Sequence, residues 1–148
     1  DYVVLQEQST LPIKNRRRMH ENIRDVHELI RDSKAQTVLY MTWARQKTPE
    51  TQRDLTTAYE EIGEEIGAVV VPVGRAWERL LESHPEVILH DADGSHPSLT
   101  GSYLAACVFQ WSLFGEPVGI PASVSSIPEN EIDIVHRVAE QTVGGRNP

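Results

Sequence analysis

The run Thr37-Val38-Leu39-Tyr40-Met41 lies at the centre of the pattern that decides the fold. It is mostly apolar and rich in β-branched and aromatic residues, which is typical of a strand that is buried on both faces. Similar runs occur on either side of it along the chain, at Tyr2–Leu5 and Ala68–Val71. The three runs predict three buried strands of one sheet.

The two segments that separate these strands carry apolar residues at every third or fourth position, which predicts one amphipathic helix in each. These positions are Met19, Ile23, Val26 and Ile30 in the first segment, and Leu55, Tyr59, Ile62 and Ile66 in the second. Strands that alternate with helices predict an α/β fold with a parallel sheet that is covered on both faces.

The carboxyl-terminal half adds further helical patterns. Val73–Leu81 predicts a short helix, and Leu99–Phe114 predicts a longer one that is apolar on nearly all sides. Val87–Leu89 is a candidate minor strand. Gly115–Pro128 is a connection rich in Pro, Gly and Ser, and the apolar positions between Ile132 and Val143 predict a last helix.

We assign residues 1–143 to one domain and expect 144–148 to be a disordered tail. Ser9–Pro12 predicts a loop after the first strand. Parallel sheets place their sites at the carboxyl ends of the strands, so Gln6–Ser9 and Trp43–Arg45 are candidate site positions.

The formal net charge of −8 over 148 residues excludes several classes of function. A general nucleic-acid binder normally presents a basic face, and an anionic membrane would repel this chain. No apolar segment is long enough to span a bilayer. We expect a soluble protein whose partners include neither nucleic acid nor a membrane. The sequence does not decide the compartment of the protein, and secretion and a periplasmic location are both compatible with it.

Cys107 is the one cysteine of the chain, so no internal disulfide can form. It lies in the apolar run Tyr103–Phe109, which favours a buried structural thiol over a nucleophile.

The stretch His90–Ser98 carries the most chemistry in the sequence. An Asp that precedes a His by three residues in a tight turn can place its carboxylate beside the imidazole. Asp93 and His96 have this spacing, and Gly94 between them permits the turn. The carboxylate would fix the tautomer of His96 while the other ring nitrogen accepts a proton. Pro97 and Ser98 would begin the next helix.

Other interpretations of this stretch remain open from spacing alone. His96 could be a surface histidine after an ordinary Asp-Gly turn, because Asp-x-x-His is common by chance. A metal site built on His90, Asp91, Asp93 and His96 is conceivable. A calcium loop that starts at Asp91 fails, since its twelfth position is Ser102 and not Glu.

Residues 93–106, Asp-Gly-Ser-His-Pro-Ser followed by a helix of small residues, closely resemble the last conserved block of the SGNH (GDSL-like) hydrolases. Phe114–Gly119 continues the resemblance, towards a bacterial subgroup of SGNH proteins. The resemblance implies a flavodoxin-like fold of three layers, α/β/α, with Asp93 and His96 as the catalytic pair. It implies neither a cofactor nor a metal.

A second resemblance concerns the first strand. Asp1–Ser9 looks like the SGNH strand that ends in Gly-x-Asn-Asp, where the Asn donates a hydrogen bond to the oxyanion. This chain has Gln-Glu-Gln instead, and a Gln amide can donate in the same way. Gln6 and Gln8 lie on the same side of an extended strand, with Glu7 opposite. We expect Gln8 to be the oxyanion donor, although both glutamines could equally cap loop backbone.

The segment Thr37–Arg45 also resembles the subgroup. Trp43 and Arg45 follow the strand and could line the pocket and contact a polar substrate; Trp43 could also be a core residue. The nucleophilic serine of the family lies in a Gly-Asp-Ser-like motif after an earlier strand, and no such motif occurs here. We therefore expect the chain to be the carboxyl-terminal two-thirds of the domain, with the amino-terminal strand or strands absent.

The leading hypothesis from the resemblance is a Ser-His-Asp esterase that cleaves short acyl esters, acetyl esters of a carbohydrate or small molecule among them. The serine would lie outside this chain. The alternatives are a non-catalytic module that binds a carbohydrate or other ligand, and a metal-dependent hydrolase. An exposed sheet edge at Tyr2–Leu5 would also invite self-association or a complementing amino-terminal segment.

Overall fold

In the computed structural model, which describes residues 1–117 and 119–144, three strands form one parallel sheet. The strands are β1 (Tyr2–Leu5), β2 (Gln36–Tyr40) and β3 (Val69–Val71), and they lie side by side in that order. Val38 of β2 lies opposite Val4 of β1 and opposite Val69 of β3. The predicted parallel sheet is confirmed, and its central strand, which was predicted at Thr37–Met41, spans Gln36–Tyr40.

In the described part of the chain, six helices surround the sheet. They are α1 (Leu11–Lys14), α2 (Arg16–Arg31), α3 (Gln52–Ile66), α4 (Val73–Ser83), α5 (Leu99–Phe114) and α6 (Glu129–Gly144). Short 3₁₀ turns at Pro49–Thr51 and Ala122–Val124 complete the regular structure. The helices predicted from apolar periodicity all form.

The sheet has an apolar core on each face, which gives the α/β/α layers. On one face, Leu39 and Val70 pack with buried side chains of α2 and α3. On the other face, Val38 and Val71 join a larger cluster from α4, α5 and α6. Neighbouring strand residues alternate between the two clusters because side chains of a strand point to opposite faces.

The structure corrects three details of the sequence interpretation. Ser9–Pro12 does not remain a loop throughout, because α1 begins at Leu11 with Pro12 in its first turn, a position that proline tolerates. Val87–Leu89 forms no strand; its neighbour His90 makes only an isolated antiparallel bridge to Pro97. Of the expected tail at 144–148, Gly144 ends α6, and the remaining residues lie outside the described ones.

None of the helices in residues 1–117 and 119–144 combines the length and the apolar character that a membrane crossing needs.

Strand β1 lies at the edge of the sheet and pairs only with β2 among the described strands. The side chains of Tyr2 and Val4 are 44% and 46% exposed, although the strand is apolar. A groove of about 250 Å³ beside it is lined in part by Val4, Ile23 and Val26. An apolar strand with free backbone groups invites pairing with another chain.

We therefore expect the protein to self-associate through β1 at micromolar concentration. Val4→Lys should shift the population towards monomer, because a charged side chain at a strand edge opposes pairing. Sedimentation velocity or native mass spectrometry measures the shift. Ile88→Lys is the matched control, since Ile88 is apolar, 71% exposed and outside the sheet. A monomeric wild-type protein would contradict the expectation.

Candidate active site

Asp93 and His96 are in direct contact, as their spacing predicts. The Nδ1 of His96 lies 2.5 Å from the Oδ2 of Asp93. The other carboxylate oxygen, Oδ1, accepts hydrogen bonds from the backbone N–H groups of Ser95 at 2.8 Å and His96 at 2.9 Å. Gly94 has a φ of +67°, the left-handed conformation that lets the turn close. The carboxylate therefore fixes Nδ1 as the donating nitrogen and leaves Nε2 for a proton acceptor.

The electrostatics of the pair follow from this contact. The hydrogen bond from His96, supported by the two backbone N–H groups, holds the pKa of the Asp93 carboxyl well below its ordinary value. The same hydrogen bond and the charge of Asp93 raise the pKa of His96, whereas the positive charge of Arg45 lowers it. Both side chains face solvent, with 79% of His96 and 51% of Asp93 exposed.

The loop that carries the pair is tied to the loop that follows β2. Trp43 Nε1–H donates to the carbonyl oxygen of Ser95 at 3.0 Å, and the N–H of Gln46 donates to that of Gly94 at 2.9 Å. His90 Nε2–H donates to the carbonyl of Ala44 at 3.0 Å. Three hydrogen bonds thus join residues 43–46 to residues 90–95 and fix the position of the turn.

Aromatic packing supports the same junction. The indole of Trp43 stacks on that of Trp77 with 4.2 Å between centroids and 4° between planes, and His90 meets Trp77 edge-on at 5.1 Å. Trp77 also packs closely against α5 at Gly101. A Cβ atom at Gly101 would lie 2.4 Å from Cη2 of Trp77 and 2.3 Å from the carbonyl oxygen of Leu89. Only glycine fits at this position in the first turn of α5 without a shift of the neighbouring groups.

Ser98 anchors the other end of the loop. Its Oγ accepts a hydrogen bond from the N–H of Gly101 at 3.0 Å, which caps α5 as predicted, and its hydroxyl donates to the Ile88 carbonyl at 2.7 Å. The turn that carries Asp93 and His96 is thus fixed to a buried helix on one side and to residues 43–46 on the other.

A cavity of about 400 Å³ lies at the carboxyl ends of β1 and β2. It brings together all but one of the predicted site residues: Gln6, Gln8, Trp43, Arg45 and His96. Asp93 is not part of its lining, because it contacts His96 on the other ring nitrogen.

The amide of Gln8 is oriented by its oxygen. Oε1 accepts from the N–H and the hydroxyl of Thr10, at 3.0 and 2.9 Å, and from the N–H of Leu11 at 3.1 Å. The side-chain NH2 makes no hydrogen bond with the described residues and is available to a ligand. Gln8 can therefore cap the loop backbone through its oxygen and still donate a hydrogen bond through its NH2 group. Glu7 turns away, as predicted, and accepts from Asn22 at 2.9 Å.

Further residues of this site were not apparent from the sequence. Tyr40 and Thr42 also line the cavity, beside Ser9 of the candidate stretch Gln6–Ser9. Gln52, only 2% exposed at the start of α3, accepts the N–H of Ala44 through Oε1 at 2.8 Å and so shapes the 43–46 loop. No local pattern could reveal these roles of Gln52 and Trp77, because Ala44 lies eight residues from Gln52 in sequence and Trp43 lies much further from Trp77.

The metal-site alternative finds no support in the residues that the structure describes. Within 1–117 and 119–144, no three His, Cys, Asp or Glu side chains come close enough together to hold an ion. His90 is buried, with its Nε2 engaged by Ala44, and lines a neighbouring cavity of about 410 Å³ from which His96 is absent. Cys107 is buried as expected, and burial raises the pKa of its thiol to about 11, so it is a poor nucleophile.

Two solved structures resemble the chain. A DUF4886 family protein from Bacteroides uniformis superposes with a TM-score of 0.81 at 18% identity, over 97% of this chain and 62% of that one. A proposed SGNH hydrolase from Slackia heliotrinireducens gives 0.66 at 26% identity, over 76% of this chain and 65% of that one. The chain thus spans less than two-thirds of the length of either structure. No family model and no curated protein matches the sequence.

The layers, the parallel sheet and these matches define a flavodoxin-like α/β protein. Its fold is that of the SGNH-like hydrolases, as the resemblance of residues 93–106 implied.

The Asp93–His96 contact predicts a titration. The NMR midpoint of the His96 ring should lie above the ordinary value of about 6.5, and Asp93→Asn should lower it because the hydrogen bond and the negative charge are lost. Since only neutral His96 can accept a proton, the raised pKa confines base activity to higher pH. Asp91→Asn, which removes a weaker influence on the same ring, should lower the midpoint less. An unchanged midpoint in Asp93→Asn would contradict the contact.

Gln52 predicts a loss of stability. Gln52→Leu should lower the free energy of unfolding by about 2 kcal/mol, because the buried N–H of Ala44 loses its acceptor. Urea denaturation measures the change. Gln141→Leu, at an exposed position of α6, is the control and should change stability by less than about 0.5 kcal/mol. Equal effects of the two substitutions would contradict the assigned role of Gln52.

Proposed function

We propose that this chain provides the acid–base part of a serine ester hydrolase that cleaves short acyl esters, including acetyl esters, of a carbohydrate or another small molecule. The observation that carries the proposal is the state of His96. Its Nδ1 is held by Asp93, its Nε2 has no hydrogen-bond partner among the described residues, and its side chain lines the same cavity as Gln8. This is the arrangement that a general base needs beside a nucleophile.

The proposed reaction proceeds through an acyl-enzyme. A serine from a segment outside this chain attacks the ester carbonyl carbon, and its proton passes to Nε2 of His96. His96 returns this proton to the leaving alcohol as the C–O bond breaks. Water then attacks the acyl-serine, with His96 again accepting and returning the proton.

The remaining residues have supporting roles in this proposal. Asp93 stabilises the imidazolium that forms when His96 accepts the proton. The NH2 group of Gln8 would donate to the carbonyl oxygen as it becomes negative, since its own oxygen is held by Thr10 and Leu11. Gln6 would be a second donor at the same cavity. Trp43 positions the His96 turn through Ser95 and, with Arg45, forms a wall of the cavity.

The hydroxyls near His96 support a nucleophile from elsewhere. Ser9 and Ser95 line the same cavity, but neither donates to Nε2 of His96 within the described residues. Ser98 is occupied with the Ile88 carbonyl and the Gly101 N–H. None of the three therefore shows the serine–histidine hydrogen bond that activates a nucleophile.

The second candidate function is a non-catalytic module that binds a carbohydrate or similar ligand. The observation that favours it is the same lack of a hydroxyl bonded to His96 in the described part of the chain. The tight Asp93–His96 contact favours the hydrolase, because a binding site has no need of an oriented base.

Two measurements test the hydrolase. The gene upstream of Asp1 should encode a Gly-Asp-Ser or Gly-Asn-Ser motif after an apolar strand, and the protein that contains it should hydrolyse p-nitrophenyl acetate. His96→Ala should reduce that activity by about 10³-fold or more. Its matched control is His84→Ala, since His84 lies at the end of α4, outside the cavity.

The chain of 148 residues should show no burst with p-nitrophenyl acetate above background. A burst that disappears in Ser9→Ala and in His96→Ala would place the nucleophile within this chain. An upstream sequence without a serine motif would favour the binding module.

A further inference from the structure

Among the residues that the structure describes, hydrogen-bond donors and no carboxylate line the cavity beside His96. Gln6 and Gln8 present side-chain amides, and Tyr40 presents a hydroxyl that stays protonated, because burial raises its pKa to about 12. Within the described lining, Arg45 contributes the one permanent charge. This is an unusual environment in a chain whose formal net charge is −8.

Asp93, the carboxylate beside His96, makes no ion pair with Arg45 in the described part of the chain. Asp93 is already hydrogen-bonded to three donors, which are His96 Nδ1 and the N–H groups of Ser95 and His96. Its charge is therefore largely satisfied within its own turn.

Arg45 itself makes no ion pair within the part of the chain that the structure describes. Other arginines of this protein do: Arg16 with Glu61 at 3.1 Å, and Arg75 with Glu60 at 2.9 Å. Arg45 is exposed, and it directly follows the Ala44 anchor that Gln52 and His90 hold in place. Its backbone is thus fixed, while its guanidinium is free to bind.

The neighbouring cavity offers a useful contrast. It shares Arg45 but is also lined by Glu50, Glu78 and Glu82. An anion would be repelled there and attracted to the His96 cavity, so the charges select one of the two cavities for an anionic ligand.

We propose that the His96 cavity binds esters that carry a carboxylate or a similar anionic group, with Arg45 as the residue that selects them. A planar guanidinium suits this role because it can donate two parallel hydrogen bonds to a carboxylate. The proposal rests on the proposed function for the ester part of the ligand. The anion would hold the molecule so that its ester lies between His96 and Gln8. The carboxylate could belong to the acyl part, as in a half-ester of a diacid, or to the alcohol part, as in an acylated sugar acid.

The test measures how ester probes bind to the chain without being hydrolysed, so it needs no nucleophile. Monomethyl succinate and dimethyl succinate form a matched pair that differs mainly in one negative charge, on the acyl side. Acetoxyacetate and its methyl ester form the matching pair with the charge on the alcohol side. Two-dimensional NMR follows the His96 ring and the Trp43 indole N–H as each probe is added, and the shifts give a Kd.

The charged member of at least one pair should bind about five- to tenfold more tightly than its neutral partner at low ionic strength. The pair that shows the preference identifies the part of the substrate that carries the anion. Arg45→Gln should abolish the preference. Lys47→Gln, which changes the net charge equally two residues away and outside the cavity lining, should keep it. Added salt should reduce it, because the site is open to solvent.

Equal binding of charged and neutral probes would overturn the inference while leaving an ester site intact. A preference that survives Arg45→Gln would overturn the role of Arg45, and no detectable binding of any probe would also count against it. Conversely, an anion preference that depends on Arg45 would stand even if the hydrolase assay failed, and it would then support the binding module.

Discussion

The hydrogen bond from Trp43 Nε1 to the Ser95 carbonyl joins the two loops on which the candidate site depends. One loop follows the central strand, and the other precedes the buried helix α5, so their relative position decides where His96 points. The stack of Trp43 on Trp77 makes this bond specific, because it fixes the plane of the indole and hence the direction of its N–H. Gln52 and His90 hold Ala44 next to Trp43 from the other side. The Asp93–His96 turn is closed by its own hydrogen bonds, but this junction places it over the cavity.

The sequence predicted those parts of the molecule whose structure depends on residues close together in the chain. The central strand Thr37–Met41 and the helices beside it follow from apolar periodicity, and the Asp93–His96 contact follows from a three-residue turn around Gly94. The roles of Trp43 and Gln52 did not follow. Trp43 could have been a core residue or a pocket residue, and it is partly both, because one face stacks on Trp77 while the N–H binds a loop 52 residues away. Such contacts depend on how the layers pack, which no local pattern encodes. Helix α1 was not predicted, because its four residues are too few to show the apolar periodicity of a helix.

The exposure of His96 limits what the described residues can do chemically. Charge–charge and hydrogen-bond interactions weaken in water, so an oxyanion at an open site gains little from Gln8 alone. Effective catalysis needs a cover that excludes water and brings the nucleophile to Nε2. The same openness explains why Arg45 can discriminate by charge yet contributes only modestly to affinity, since solvent and salt screen an exposed guanidinium.

The open edge of β1 and the openness of the His96 cavity have a common geometrical basis. Gln6 and Gln8 follow β1 directly, so the carboxyl end of the edge strand borders the cavity. A further strand that paired in parallel with β1 would end beside these glutamines, because the carboxyl ends of parallel strands meet at one edge of a sheet. Its following loop would then reach the cavity from the side opposite His96. Pairing at β1 would therefore cover apolar surface at Tyr2 and Val4 and, in the same step, bring new side chains towards Nε2. Pairing at β1 and new contacts at the cavity would thus be coupled in this fold, whichever chain segment supplied the strand.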